Sequence, residues 1–108
     1  MPPRALETPT ESMFYVLLSL SKGPRCGTDI AGDIHTRTHG RVRLGPATLY
    51  TILGKFEKEG YIEEIEVSGR KRTYRLTQQG LMAYRTELER LRKCVLDAEA
   101  ADREGGTR

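Results

Sequence analysis

Apolar and polar positions repeat with several different periods along this 108-residue chain, and each change of period marks an element. From Met13 to Leu20 every position but Ser19 is apolar. On a helix, Met13, Phe14, Tyr15, Val16, Leu17, Leu18 and Leu20 cover nearly the whole circumference, and such a helix must be buried on all sides. "TPTE" supplies its start, with Thr8 as N-cap, Pro9 in the first helical position and Glu11 completing a capping box. Gly23-Pro24 supplies its stop. A domain this small has few central places for such a helix. A second copy of the chain is the simplest cover for its outer face, with Phe14 and Leu18 as contact residues.

Cys26 to Thr38 predicts a second, weaker helix, with Ile30, Ala31 and Ile34 at helical spacing and Gly40 beyond its end. "RVRL", Arg41 to Leu44, alternates like a short strand. Gly45-Pro46 opens a third helix whose stripe is Leu49, Ile52, Leu53 and Phe56, and Gly60 closes it. Ile62 to Val67 and Arg72 to Leu76 predict strands around a turn at Ser68-Gly69. Thr77 then caps a fourth helix reaching about Asp102.

In that last helix Leu81, Tyr84, Leu88, Leu91, Val95 and Ala98 are spaced 3, 4, 3, 4 and 3 apart, the seam of a coiled coil. The stripe could serve as internal packing. However, roughly 25 residues make a helix of ~38 Å, longer than a core this small spans. The spacing therefore favours a dimer seam through Leu81, Tyr84, Leu88, Leu91 and Val95.

The order is helix, helix, short strand, helix, hairpin, long helix. It predicts a mainly α fold with a small β-hairpin: a winged helix-turn-helix plus a long C-terminal dimerisation helix. Residues 1–7 are expected to be a flexible arm, 8–77 the DNA-binding domain, 78–102 the dimerisation helix and 103–108 a disordered tail. In such folds one helix enters the DNA major groove with its N-terminal residues at the base edges. Here the third helix turns Ala47, Thr48, Tyr50, Thr51, Gly54, Lys55 and Lys58 away from its apolar stripe. Small residues at its front allow close approach, and the Thr and Tyr hydroxyls suit bases or phosphates. Lys55 suits the DNA backbone. Arg70, Lys71 and Arg72 at the hairpin tip would neutralise phosphates beside the groove.

Composition changes this picture little. With 18 Lys and Arg against 15 Asp and Glu the net charge is only +3, so the distribution of charge has to carry the reading. Ser68 to Arg75 holds four basic residues and no acid, whereas the "IEEIE" carboxylates read as solvated. Basic turns are common, and it is the neighbouring helix that gives this one meaning. Cys26 and Cys94 are far apart and form no zinc pattern. Cys94 reads as a buried, inert thiol. His35 and His39 have metal-ligand spacing but no third ligand, so neither a metal nor a cofactor is expected. No nucleophile and base, paired carboxylates or phosphate loop argues for an enzyme. No apolar run is long enough for a membrane and no leader pattern opens the chain, so a cytoplasmic protein is expected.

"GPATLYTILGKFEKEGYIEE", followed by "GRKRTYRLTQQG", resembles the PadR family of bacterial transcriptional regulators in its short form with one C-terminal helix. The resemblance covers about Thr8 to Leu96. The family's Tyr-x-Leu-Thr-x-x-Gly pattern is matched by Tyr74, Leu76, Thr77 and Gly80. "TPTESMFYVLLSLSKGPRCGTDI" matches the first helix and the start of the second, with Cys26 where His is usual and Thr28 where Tyr is usual. The resemblance implies homodimers built on the first and last helices and bound to palindromic operators of double-stranded DNA. In several members a small, often aromatic, effector relieves repression near the dimer centre. A pocket here would have to use Met13, Phe14, Tyr15 or Tyr84, residues for which plain interface packing is the favoured reading. The alternative function is a winged-helix protein-interaction module without an operator of its own. A small-molecule sensor without DNA binding is a weaker third reading.

Overall fold

The computed structural model describes residues 10–69 and 71–104. Helix α1 (Glu11–Ser21) starts from Thr10, whose hydroxyl accepts the Met13 N–H at 3.2 Å. Met13 Sδ accepts the Thr10 N–H in return. The box is therefore Thr10 and Met13, with a thioether in place of the usual carboxylate, and the expected cap at Thr8 is shifted by two residues. Thr8 and Pro9 lie outside the described residues, as does the expected arm. The apolar circumference of α1 is covered largely within the chain, by helices α2 (Gly27–Arg37) and α4 (Gln78–Arg103) and strand β3 (Lys71–Leu76). It occupies the central position that the sequence seemed to lack, with Val16 and Leu17 fully buried and Leu18 left half-buried.

Strand β1 (Arg25–Cys26) and strand β2 (Ile62–Ser68) flank β3 in an antiparallel sheet of order β1-β3-β2. The expected strand at Arg41–Leu44 is absent. Val42 is buried in the core as part of a bent, irregular link, its N–H bonded to the Thr38 hydroxyl at 3.0 Å. Its alternation reflects which side chains enter the core, and the free edge of β3 is taken by Arg25 and Cys26 instead.

Helix α3 (Pro46–Glu59) begins at Pro46 and ends at Gly60, whose φ of 80° suits glycine. It buries Leu49, Ile52, Leu53 and Phe56, the predicted stripe. Each such side chain contributes about 1.5–3 kcal/mol to the core. The junction into α4 is tight. Thr77 donates its hydroxyl to the Gly60 carbonyl at 2.6 Å and caps the Gly80 N–H at 3.1 Å, while its own N–H reaches the Tyr61 carbonyl at 2.9 Å. This explains the Leu-Thr-x-x-Gly pattern as a packing device. Arg103 is still helical and Glu104 forms the C-cap, so the helix outruns the expected tail boundary. Residues 105–108 lie outside the described residues.

Candidate functional site

Burial of its apolar stripe fixes the rotation of α3, and its other face is thereby presented to solvent. Ala47, Thr48, Thr51, Gly54 and Lys58 are exposed, Lys55 is half-buried and Tyr50 is 50% exposed. Gly45 provides no side-chain cap, so the first N–H groups of α3 meet no capping side chain.

The hairpin reverses at Gly69, with φ of 59°. Arg70, the predicted tip, lies outside the described residues. Lys71 is exposed. Arg72 stands 3.7 Å from Glu64, and Arg75 is 2.6 Å from Glu63. Glu63 thus meets its register partner Arg75, and Glu64 meets Arg72 diagonally, rather than being merely solvated, whereas Glu66 is exposed. Cross-strand pairing that period-2 reading leaves unassigned decides this. Between Glu64 and Glu66 the register slips by a bulge, which leaves Ile65 42% exposed.

Helix and hairpin meet at one concavity of about 430 Å³, lined by Tyr50, Lys71, Arg72, Tyr74, Cys26, Gly27 and Thr28. The last three open α2, whose N-terminus has no side-chain cap either. Cys26 Sγ lies 3.3 Å from the Thr28 hydroxyl. Burial pushes the Tyr74 phenol above its ordinary 10.0, the Glu57 charge adds to this and Arg72 opposes it, so the phenol stays neutral at physiological pH. The N-terminus of α2, the Lys71 and Arg72 cations and the Tyr50 phenol make a surface that attracts anions, with Glu64 beside Arg72 as a competitor.

The predicted contact residues of α1 and α4 fall into two groups. Phe14 is buried in its own chain, stacked on Tyr84 at 5.5 Å and edge-on to Tyr15 at 5.7 Å. Leu18, Leu81, Tyr84, Leu88 and Leu91 are half-buried, while Val95 is 55% exposed, as is Leu96 beside it, which is not among the predicted contacts. Phe14, Tyr15 and Leu91 line a groove of about 320 Å³ with Thr10, Glu11, Glu87 and Arg90; Met13 and Tyr84 lie outside its lining.

Sequence reasoning missed Glu87, which is 5% exposed and held by Arg90 at 2.9 Å. No apolar periodicity can reveal a buried carboxylate. It also missed Arg41, which donates to Glu11 at 2.6 Å and to the Tyr15 hydroxyl at 3.0 Å and so ties the link before α3 to α1. Cys94 is exposed in this chain, contrary to the expected buried thiol, because it falls beside the seam on the projecting half of α4. His39 has left α2 and takes a φ of 53°. Among the described residues no group of three or more His, Cys, Asp or Glu could hold a metal ion.

The model of the transcriptional regulator PadR-like family matches residues 16–86. The chain belongs to the PadR-like family. A protein of undescribed role from Lysinibacillus sphaericus is 31% identical over 77 residues, covering 68% of this chain and 70% of that protein. Among solved structures, a transcriptional regulator from Clostridium thermocellum is similar with a TM-score of 0.69 and 29% identity, over 80% of this chain and 89% of that one. The PadR protein of Bacillus subtilis, solved with operator DNA, shares the fold at a TM-score of 0.65 and 24% identity, over 73% of this chain and 47% of that one. The PadR-like match thus runs from the middle of α1 through the hairpin into α4 and ends before the exposed half of that helix. Among the described residues, four helices with a small antiparallel sheet form the winged helix of PadR-like regulators, as expected from the sequence. No described helix is long and apolar enough to cross a membrane.

Proposed function

We propose that this PadR-like protein is a cytoplasmic, homodimeric, sequence-specific DNA-binding repressor, relieved by a small aromatic effector. Residues 8–77 serve as the DNA-binding unit and 78–102 as the dimerisation helix. The observation that carries the reading is the shared concavity, where Tyr50 of α3 meets Lys71 and Arg72 of the hairpin and the opening of α2. Ala47, Thr48 and Thr51 enter the major groove, and Lys55 and the wing cations, Arg70 counted among them from the sequence, hold phosphates. Two copies joined along α4 give a two-fold arrangement suited to a palindrome. The exposed Val95 and Leu96 support that joining. The groove beside Phe14 and Tyr15 is where an aromatic effector would act.

A second reading, a partner-binding winged helix with no operator, is favoured by the acids that face Arg72 and Arg75. The salt dependence of binding to random duplex DNA separates the two. A DNA-binding dimer loses affinity steeply as salt rises. Negligible binding at every ionic strength, with no duplex recovered from genomic DNA, would leave the partner module standing.

A further inference from the structure

We infer that Gly27 is a positioning residue for DNA recognition: the space left by its missing side chain is the seat on which the Tyr50 ring rests beside Lys71 and Arg72. This rests on the DNA-binding reading above. A Cβ at Gly27 would stand 2.5 Å from the Tyr50 hydroxyl oxygen, 2.9 Å from Cζ and 3.3 Å from Cε1. Real carbon atoms do not approach so closely, so the phenol occupies volume that any other residue at 27 would claim.

Two alternative reasons for a glycine here fail. Gly27 is not among the glycines with positive φ, so conformational freedom is not what the position requires. It is also the first residue of α2, where glycine is a poorer helix former than alanine. What remains is the close approach. Gly27 is buried, and half of Tyr50 is exposed beside the wing cations. The tip of the phenol, hydroxyl included, thus lies against the opening of α2 while half of the side chain stays exposed. A phenol in this place donates to a phosphate oxygen at a height set by the backbone of α2, not by the rotamer of Tyr50 alone. The seat also couples two helices: α2 sets where a side chain of α3 points.

The blocking atom is the far end of a half-exposed side chain, so a methyl at 27 displaces the ring without breaking the core. Fold and recognition should therefore separate. Gly27→Ala is expected to melt within a few degrees of the wild type. Its affinity for a duplex selected from genomic DNA should fall about tenfold, the worth of one charge-assisted hydrogen bond. Tyr50→Leu should lose a similar amount, and the double variant no more than Tyr50→Leu alone, since the seat has no purpose without its occupant. Wild-type affinity in Gly27→Ala, or losses that add in full, would overturn the inference while leaving DNA binding intact. Should Gly27→Ala melt early, Tyr50→Leu in the same chain must restore the melting temperature; failure to restore it overturns the inference as well. A wild-type chain that retains no duplex at all overturns the DNA-binding reading, and this inference with it.

Discussion

At Gly80 a Cβ would stand 2.0 Å from the Tyr61 carbonyl oxygen, a backbone atom that cannot swing aside as the end of Tyr50 can. Gly80→Ala should therefore destabilise the fold by about 1–3 kcal/mol, the cost of overpacking, measured by urea unfolding. Gly80 and Gly27 look alike in the sequence and differ only in what lies above them. Asp33 shows the same dependence on surroundings. Burial pushes its carboxyl up, but the hydrogen bond from Arg37, the neighbouring Ser19 hydroxyl and the charges of Arg25 and Arg37 outweigh it and hold it below 3.8. The stability this confers is present above that value and is lost as acid takes the pH down through the lowered one. Asp33→Asn should be less stable than the wild type at neutral pH, and the gap between the two unfolding curves should close as the pH falls through the lowered value.

Among the elements, the wing most directly converts structure into binding. Replacing Lys71 and Arg72 by Ala should weaken binding to every duplex and reduce the slope of log K against log salt by about 1–2, as phosphate contacts are lost. Glu64 competes with phosphate for Arg72 across the ladder. Glu64→Gln is expected to tighten DNA binding several-fold, most visibly at low salt; unchanged affinity would mean that Arg72 never leaves its strand partner. The hairpin itself was legible, with both strands predicted to within a residue or two, because alternation and the Ser68-Gly69 turn agree. β1 was not legible. Two residues carry no period, and only the edge of β3 makes Arg25 and Cys26 a strand.

The described residues extend 59 Å along the longest axis, and the outer half of α4 accounts for much of that reach. Val95→Glu and Leu96→Glu alter exposed positions and should leave the melting of a single chain unchanged. In a dimer joined along α4 they place one charge in the seam and one beside it and should weaken self-association at least about tenfold. Sedimentation reads the result, and operator affinity should fall with it; a variant that still sediments as a dimer would place the joint elsewhere. The sequence by itself determined the helices, the hairpin, the stripe that orients α3 and the PadR-like resemblance. Local periodicity and turn chemistry fix those before any long-range contact forms. Only the tertiary structure decided that α1 is the centre of its own domain, that Glu87 is buried, that Glu64 faces Arg72 and that Gly27 seats Tyr50. Each of these depends on which surfaces meet across distant stretches of chain, and no local pattern records who the neighbour will be.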